Sequence, residues 1–539
     1  MTATDRTGLE NDSVPRILIA DPLAQAGLDV LREVGALDEA TGCDPAELRS
    51  RIRDCQGLVV RSETRVDREL LHSAPSLRII GRAGVGVDTI DVEEASRRGI
   101  LVINAPAGNT IAAAEHAIAL MLSLMRNIPP ADRMLHEGGW ERKAFMGEEV
   151  RQKTLGVFGL GRIGFEVARI ASAGLKMHVL AYDPVVTVDR AQTAGAELVT
   201  LEELLGRADI LTLHTPLTES TRKVIDRRRL AQMKRGVRIV NAARGGLIDE
   251  EALVDAIESG HVGGAALDVY EVEPLPQDHP LRASDRVILT PHLGASTREA
   301  QVNVAVEVAA QFKEFFQGTM PRYAVNAPVA SAEDLERLRP FMLLSRKMGS
   351  LASQLSSAPT ERVTCTYLGA LAQLEPAFLT AEILGGFFAH FSDAQLNAVN
   401  ARLFASDHGI VVEEARSNRE VEEEDSIELS VKGSPVLGIR GALVDGAPRI
   451  TRIDDYRVNM FPDGTHLFVE HADRPGVIAR ISTLLAENDV NIARIDLGRD
   501  RPRGHAVMFM QVDDPVPPPL QDRLRDEAGL ESLRVVTLS

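Results

Sequence analysis

Short apolar runs alternate with helical hydrophobic patterns in the first part of the chain. The helical patterns, for example at residues 24–34 and 91–98, fall between the runs. This rhythm predicts buried parallel strands joined by crossover helices that cover both faces of a sheet. We interpret four runs as strands, at residues 16–20, 57–61, 77–81 and 100–104. This stretch contains no phosphate-cradling turn, so we do not expect the first lobe to be the main holder of a nucleotide.

A second lobe with the same rhythm follows a long helical run at residues 109–125, which we interpret as the hinge between the lobes. The later apolar runs predict a second parallel sheet. They lie at residues 155–158, 179–182, 210–214, 237–241, 264–268 and 286–290. The helical pattern at 296–316 leads away from this sheet, and we expect it to return to the first lobe.

The C-terminal part of the chain has a different pattern. Residues 331–455 mix helical and strand patterns without a recognisable catalytic constellation, which predicts an α+β domain. The end of the chain shows a strand, a helix and a strand, at residues 465–470, 477–488 and 505–512. We expect the proline-rich stretch 515–519 to be a loop.

A glycine-rich turn joins the apolar runs at 155–158 and 179–182. Its glycines, Gly159, Gly161 and Gly164, fit the G-x-G-x-x-G pattern of dinucleotide-binding turns. The first glycine permits the tight turn, the second lets a pyrophosphate approach the backbone, and the third lets helix and strand pack closely. Asp183 ends the following strand, where a carboxylate accepts hydrogen bonds from ribose hydroxyls and repels a 2′-phosphate. The turn therefore predicts a site for NAD rather than NADP.

Composition and charge narrow the class of protein. The 539 residues are 44% hydrophobic and 26% charged, enough for about three to four folded domains. A net charge of −18 argues against nucleic acid as a main partner. The three cysteines lack the spacing of a disulfide framework or a metal site, so we expect neither. Because the sequence has no apolar run of membrane length and no signal-peptide pattern, we expect a cytoplasmic location.

Three residues of the second lobe have the chemistry that oxidation of an alcohol needs. His292 follows a predicted strand at the carboxyl edge of the sheet, and a histidine is a natural base for the hydroxyl proton. Glu273 is the candidate carboxylate behind the imidazole. Arg244 is placed to grip a substrate carboxylate and to polarise the adjacent carbonyl. Each residue alone would be an ordinary structural or surface residue, and only the three together indicate a catalytic site.

Several longer motifs resemble those of the D-isomer-specific 2-hydroxyacid dehydrogenases. They are TPHLGA at 290–295, NAARGG at 241–246 and RAGVGVD at 82–88. The stretch WERKAFMG at 140–147 and the C-terminal extension resemble the long members of that family, which act on 3-phospho-D-glycerate.

The resemblance implies an α/β fold with two Rossmann-like, doubly wound parallel-sheet lobes, an α+β intervening domain and a C-terminal ACT domain of ferredoxin-like topology. The implied boundaries are 14–110 and 292–326 for a discontinuous substrate-binding domain and 111–291 for the NAD-binding domain. The intervening domain would span 327–457, and the ACT domain 463–539.

The same resemblance assigns roles within the cleft. Arg244 would bind and polarise the substrate, and His292 with Glu273 would form the acid–base pair. Besides the three glycines, the implied NAD contacts are Arg162, Ile163, Asp183, Thr215, Ala242, Ala243, Arg244, Asp268, His292, Leu293, Gly294 and Ala295. The implied contacts to the substrate and its phosphate are Arg61, Ser62, Arg82, Asn109, Arg142 and Lys143. Of these, Arg142 and Lys143 would come from a partner subunit, unless they are ordinary surface charges.

The C-terminal residues resemble the amino-acid-binding ACT domain. The matching residues are His471, Asp473 and Asn491, which would hold the ammonium and carboxylate groups of an effector. For a biosynthetic enzyme this implies feedback inhibition by L-serine. The alternative is that the ACT domain only joins subunits. We expect a homodimer or a homotetramer in either case.

The sequence therefore predicts an enzyme that oxidises 3-phospho-D-glycerate to 3-phosphooxypyruvate with NAD, at the entry to serine synthesis. One alternative is a related enzyme for another 2-hydroxy acid, such as glyoxylate, lactate or 2-hydroxyglutarate. Another is a non-enzymatic sensor of NAD and an amino acid. A sensor would not need the set of Arg244, Glu273 and His292.

Overall fold

The strands of the protein form four separate β-sheets within the residues that the structure describes. In this computed structural model, those residues are 14–328, 332–356, 359–392, 396–417, 419, 425–433 and 436–538. Two sheets are parallel, one is mixed and one is antiparallel. The predicted α/β fold class, with two Rossmann-like lobes and an antiparallel C-terminal sheet, is confirmed.

The first lobe contains a parallel sheet with the strand order β2-β1-β3-β4-β5. Its strands are β1 (Arg16–Ile19), β2 (Ala36–Glu39), β3 (Gly57–Val60), β4 (Ile79–Arg82) and β5 (Leu101–Asn104). The connecting helices are α1 (Gln25–Arg32), α2 (Pro45–Arg51), α3 (Arg68–His72) and α4 (Val92–Arg97). All four residues of β3 are buried, as expected for a central strand that is covered on both faces.

The second lobe begins with helices α5 (Thr110–Met125) and α6 (Ile128–His136). Its parallel sheet has the order β12-β11-β10-β9-β6-β7-β8. The strands are β6 (Thr154–Phe158), β7 (His178–Tyr182), β8 (Ala196–Leu198), β9 (Ile210–Leu213), β10 (Val237–Asn241), β11 (Val262–Leu267) and β12 (Val287–Leu289). The helices between them are α7 (Arg162–Arg169), α8 (Val188–Thr193), α9 (Leu201–Arg207), α10 (Arg227–Gln232) and α11 (Glu250–Glu258). Helix α5 packs against α7, β10 and β11, so the connection between the lobes is part of the second core.

Helix α12 (Arg298–Phe316) carries the chain back to the first lobe. It lies against α1, and its Phe312 is fully buried in the same core as Ile17 and Val59. After it, the backbone amide of Val325 donates to the carbonyl of Val102. The chain therefore crosses between the two lobes twice, once through α5 and once ahead of α12.

The third unit is a mixed sheet in the order β14-β13-β15-β16-β17-β18. The strands are β13 (Arg362–Leu368), β14 (Val411–Ser417), β15 (Ser426–Lys432), β16 (Leu437–Val444), β17 (Ala447–Ile453) and β18 (Tyr456–Met460). The helices are α13 (Ala332–Leu355), α14 (Ala377–Phe388) and α15 (Ala401–Asp407). This unit contacts the first lobe, because Arg97 pairs with Asp407 at 2.7 Å and the Asn397 amide donates to the Gly99 carbonyl at 2.9 Å.

The fourth unit is an antiparallel sheet in the order β20-β21-β19-β22. Its elements are β19 (Gly464–Ala472), α16 (Val477–Glu487), β20 (Ile492–Arg499), β21 (His505–Val512), α17 (Pro518–Glu527) and β22 (Ser532–Leu538). One face packs on α16 and α17, while Phe468 and Phe509 on the other face lie in the same buried cluster as Leu344 and Met348 of α13. The third and fourth units thus share a hydrophobic core. The boundaries between domains that the sequence implies stay a prediction.

In the part of the chain that the structure describes, no single helix is long and apolar enough to cross a membrane. Helices α5 and α6 are long and apolar enough only when they are taken together, and they are bent by 66° relative to each other.

Candidate active site

The glycine-rich turn between β6 and α7 has the shape that a dinucleotide requires. Gly159 has a φ of +92°, and a Cβ atom on it would lie 2.7 Å from the carbonyl oxygen of His214. A Cβ on Gly164 would lie 2.0 Å from the Gly159 carbonyl oxygen, so helix and turn touch there. A Cβ on Gly161 would meet no atom within 4 Å, which leaves this glycine open to a ligand. The N-terminus of α7 opens onto the same space.

Asp183 is held beside this turn at the end of β7. Its carboxylate accepts the backbone N–H of Leu160 at 2.8 Å and that of Val185 at 2.9 Å. Arg162, the first residue of α7, lies over the ring of Tyr323 at 5.2 Å. The turn, the helix end and Asp183 therefore fit the pyrophosphate and the adenosine ribose of NAD. Ile163 and Thr215 lie on this side of the lobe as well, in α7 and after β9.

The second half of the site is the turn at residues 290–295, which has an unusual backbone. His292 has a φ of +56°, a left-handed conformation that is uncommon for a residue other than glycine. The buried carboxylate of Asp268 accepts the N–H of Leu293 at 2.8 Å and the N–H of Gly294 at 2.9 Å. The structure therefore places Asp268 beneath the turn, as its backbone support. Ala295 follows, and its carbonyl accepts from Gln301.

His292 and Glu273 form a pair, as the sequence predicts. Nδ1 of His292 lies 2.8 Å from Oε2 of Glu273, and the other carboxylate oxygen accepts the N–H of Tyr270 at 3.1 Å. The hydrogen bond with Glu273 raises the pKa of His292. Burial opposes the shift at Glu273, but the hydrogen bond from His292 lowers the pKa of that carboxyl. The arrangement is a histidine base whose cation is stabilised by a fixed carboxylate, with Nε2 left for a substrate.

Arg244 extends from the turn after β10 toward the first lobe. The side chain of Asn241 holds this turn: its amide donates to the Arg244 carbonyl at 2.9 Å and its oxygen accepts the Ala243 N–H at 3.1 Å. The guanidinium Nε of Arg244 lies 3.4 Å from the carboxylate of Asp88. Ala242, which precedes Ala243 in the turn, lies along the same edge of the sheet. Arg244 thus spans the cleft between the lobes.

Arg61, Arg82 and Asn109 come from the first lobe and carry unused hydrogen-bonding atoms. Nε of Arg61, Nε of Arg82 and Oδ1 of Asn109 are buried without a partner among the described residues. Burial and the nearby guanidiniums of Arg244 and Arg61 lower the pKa of Arg82 to about 10. Such a group of cations is short of negative charge, so it favours an anionic ligand. Ser62 follows Arg61 and is exposed.

Arg142 and Lys143 lie elsewhere, in an exposed 3-10 helix, Arg142–Phe145. Trp140 and Met146 flank it with 77% and 84% of their surface exposed. Within one chain, no hydrogen bond or ion pair between described residues joins Arg142 or Lys143 to the arginines of the cleft.

The structure does not bring the three predicted effector residues together in one chain. His471 is buried at the end of β19, and Asp473 follows it, accepting the N–H of Arg503 at 2.9 Å. Asn491 lies beside Asp513, at the opposite end of β21, with its amide 2.6 Å from that carboxylate. The length of β21 separates them by about 20 Å. A site that contains all three would need a second copy of the chain.

Three residues that support the site were not predicted from the sequence. Asp21, two residues after the end of β1, accepts the N–H of Arg61 at 2.5 Å and the hydroxyl of Thr64 at 2.5 Å. Asn241 holds the Arg244 turn. His116, one of the few polar residues of the mostly apolar helix α5, lies 3.1 Å from Asp268. A polar side chain at the end of a buried strand, or within an apolar helix, is the signal that would have found them.

Comparison with known proteins agrees with this geometry. Residues 118–294 match the family model of the D-isomer specific 2-hydroxyacid dehydrogenase, NAD binding domain. Residues 337–454 match the D-3-phosphoglycerate dehydrogenase intervening domain, and residues 465–529 match the ACT domain.

Full-length relatives decide the family. The chain is 43% identical to D-3-phosphoglycerate dehydrogenase of Archaeoglobus fulgidus, over 97% of this chain and 100% of the relative. It is 40% identical to D-3-phosphoglycerate dehydrogenase of Bacillus subtilis, over 97% of this chain and 99% of the relative. The chain belongs to the D-3-phosphoglycerate dehydrogenase family. It is an NAD-dependent oxidoreductase, and the prediction of NAD as the cofactor is confirmed.

Solved structures of two other NAD-dependent dehydrogenases are similar to more than half of the chain. D-lactate dehydrogenase from Aquifex aeolicus, complexed with NAD and lactic acid, has a TM-score of 0.52 and 28% identity, covering 58% of this chain and 99% of that chain. NAD-dependent formate dehydrogenase from Staphylococcus aureus, in complex with NAD, has a TM-score of 0.51 and 31% identity, covering 56% of this chain and 96% of that chain.

Proposed function

We propose that the protein oxidises 3-phospho-D-glycerate to 3-phosphooxypyruvate with NAD, the entry step of serine synthesis. The observation that carries this proposal is the cleft itself. The His292–Glu273 pair and Arg244 on one side face Arg61, Arg82 and Asn109 on the other. The first group fits oxidation of a 2-hydroxy acid, and the second fits a substrate that also carries a phosphate.

His292 acts as the base. Nε2 takes the proton of the C2 hydroxyl, while Glu273 at 2.8 Å from Nδ1 stabilises the imidazolium that forms. NAD, when bound, accepts the hydride from C2. The buried Asp268 keeps the left-handed turn in place, so His292 does not need to reorganise during the reaction.

Arg244 holds the substrate carboxylate and polarises the developing C2 carbonyl. In the structure this guanidinium is paired with Asp88, whose side chain is 65% exposed. We infer that the substrate carboxylate displaces Asp88, since an exposed, solvated carboxylate is an easily replaced partner. Until the substrate arrives, the ion pair with Asp88 keeps Arg244 oriented.

Arg61 and Arg82 bind the phosphate. A dianion between two guanidiniums gains charge-assisted, bidentate hydrogen bonds, which distinguish a phosphate from an uncharged group. The unpartnered Nε atoms of both arginines support this assignment. Asn109 and Ser62 complete the site within one chain.

Arg142 and Lys143 join the phosphate site of a second copy of the chain. The two cations lie between Trp140 and Met146, whose large apolar side chains are exposed. Such an exposed apolar surface supports a contact with a partner. We propose a homodimer or a homotetramer. The cytoplasmic location expected from the sequence stays a prediction.

L-serine is the proposed effector, bound where His471 and Asp473 of one chain meet Asn491 of another. A route to the cleft exists within the chain. The ion pair of Arg97 with Asp407 and the hydrogen bond from Asn397 to Gly99 link the third unit to the segment before β5. Strand β5 ends at Asn104, and a short loop joins it to Asn109 of the proposed phosphate site.

The testing experiment measures NADH formation with 3-phospho-D-glycerate and NAD. The control substrates are D-glycerate, which lacks only the phosphate, and D-2-hydroxyglutarate, D-lactate and glycolate, the reduced form of glyoxylate, for the related activities. His292→Ala is the matched inactive variant. We expect the highest kcat/KM with 3-phospho-D-glycerate. A higher kcat/KM with an unphosphorylated acid would make the protein an enzyme for that acid, and no turnover of any of them would favour the sensor interpretation.

A further inference from the structure

His116 lies outside the predicted catalytic set but touches its support. It is on α5, the helix that connects the two lobes, and its Nε2 is 3.1 Å from Oδ1 of Asp268. The same Nε2 is 3.4 Å from the hydroxyl of Thr290, which itself donates to Asp268 at 2.5 Å. The His116 side chain is 20% exposed and Asp268 is fully buried. The imidazole of a helix at the beginning of the second lobe therefore contacts a buried carboxylate that comes near the end of the same lobe in sequence.

The Asp268 carboxylate is fully used by this arrangement. Oδ1 accepts hydrogen bonds from the hydroxyl of Thr290 and the N–H of Leu293, and Nε2 of His116 lies 3.1 Å from it. Oδ2 accepts the N–H of Gly294. The backbone carbonyl of Asp268 also accepts the N–H of His292 at 2.9 Å. Burial opposes the shift, but hydrogen bonds from His116 and Thr290 lower the pKa of Asp268. The ionised form is the acceptor that the turn needs.

The turn needs this support because His292 is in a left-handed conformation. A residue with a side chain persists there only when the surrounding contacts impose it. The contacts that impose it come from Asp268, and the donors that keep Asp268 ionised and oriented are Thr290 and His116. Thr290 belongs to the turn itself, so His116 is the anchor that comes from a separate element.

We propose that His116 is a positioning residue for the oxidation, which holds Asp268 and thereby the turn that presents His292. This inference rests on the proposed function, since it assumes His292 as the base. In this proposal, helix α5 contributes to the site at two places. The helix begins directly after Asn109 of the proposed phosphate site and, about two turns later, fixes the turn of the catalytic histidine.

The test compares three variants of the full-length enzyme. His116→Leu removes the donor and keeps a side chain of similar size. His116→Gln returns an N–H donor at about the same reach. His72→Leu is the matched control, because His72 also pairs with a carboxylate, Glu94 at 2.9 Å, but between α3 and α4 of the first lobe.

We expect His116→Leu to lower kcat by about 10- to 100-fold, the loss that a displacement of about 1 Å causes in a reacting geometry. The KM for NAD and the KM for 3-phospho-D-glycerate should stay within about threefold, because the residue contacts neither ligand. His116→Gln should recover most of the turnover. The melting temperature of His116→Leu should fall no further than that of His72→Leu.

Two results would overturn the inference. One is a His116→Leu enzyme with the kcat of His72→Leu. The other is an equal loss in the leucine and glutamine variants, because the N–H donor would then not be the cause. Failure of the proposed substrate looks different: the unmodified enzyme would prefer another 2-hydroxy acid, and the same comparison of kcat would be made with that acid.

Discussion

Replacing Arg82 by methionine should separate recognition of the phosphate from stability of the fold. Arg82 is a half-buried cation at the end of β4, with Arg61 and Arg244 as neighbours and an unpartnered Nε. Methionine keeps most of the length of the side chain and removes the charge. The variant should therefore lose affinity for the phosphorylated substrate without losing structure.

The loss of affinity follows from the contact that is removed. A charge-assisted hydrogen bond is worth about 1.5–3 kcal/mol, so kcat/KM for 3-phospho-D-glycerate should fall about 10- to 150-fold. D-glycerate, which offers no phosphate, should lose less than about threefold. Most of the change should be in KM, because Arg82 is not in the acid–base pair.

The stability of the free enzyme should not fall with the affinity for substrate; it should stay the same or rise. Burial and two nearby cations lower the pKa of Arg82 to about 10, which means that the charged form is disfavoured in the folded state. Below that pH the arginine stays charged, so the cost is fully present at neutral pH and disappears only above pH 10. At about 1.4 kcal/mol per pH unit the cost is roughly 3 kcal/mol. The melting temperature of Arg82→Met should be unchanged or raised.

The assay combines steady-state kinetics on both substrates with thermal unfolding in the absence of ligands. Arg78→Met is the control, since Arg78 precedes the same strand and its guanidinium lies over the ring of Phe315 at 5.2 Å, away from the phosphate site. If D-glycerate and 3-phospho-D-glycerate lose equally, Arg82 does not read the phosphate. If the melting temperature falls by several degrees more than in Arg78→Met, the buried charge of Arg82 does not destabilise the folded enzyme.

Four shorter predictions concern other parts of the molecule. His292→Ala should lower kcat by about 10²- to 10⁴-fold with NAD affinity retained; near-normal turnover would place the base elsewhere. Glu273→Gln removes the contact that raises the pKa of His292, so the acid limb of the pH profile for oxidation should move to lower pH; an unmoved limb would contradict the pairing. Asp183→Ala should narrow the preference for NAD over NADP, which kcat/KM for both cofactors in the unmodified enzyme and the variant will show. Calorimetric titration of L-serine should show binding that Asp473→Ala abolishes, with a coupling to substrate affinity of about 1–3 kcal/mol; binding that the variant leaves unchanged would remove Asp473 from the site.

The buried central strands were predictable because their apolar runs are short and continuous. The edge strands β2 and β8 were not, since Ala36–Glu39 and Ala196–Leu198 contain acidic residues and expose part of their surface. The expected loop at 515–519 is partly wrong, because α17 begins at Pro518. Proline is tolerated in the first turn of a helix, where its missing N–H would have had no partner.

In the site as well, residues that lie in sequence motifs were predictable, and residues that only support them were not. The residues that we propose to contact ligands stand in recognisable motifs, and the pair of His292 with Glu273 was predicted from their chemistry. The supporting residues Asp21 and His116 are single polar positions whose partners are far away in sequence, so only the fold brings them together. Asn491 is the opposite case: it is close to Asp473 in sequence but lies at the other end of a strand.

The hydrophobic core that the third and fourth units share has a consequence for how the chain unfolds. Phe468 and Phe509 are 6% and 0% exposed because α13 covers them, so the last sheet would uncover a large apolar face if it separated. Leu344→Ala in α13 should cost about 2–5 kcal/mol and lower the transition of the last sheet together with that of the third unit. In a calorimetric scan, the C-terminal half should therefore melt as one cooperative unit. The ACT sheet is then one part of a larger cooperative unit. If the ACT sheet were excised alone, the fragment would be poorly folded and prone to aggregation.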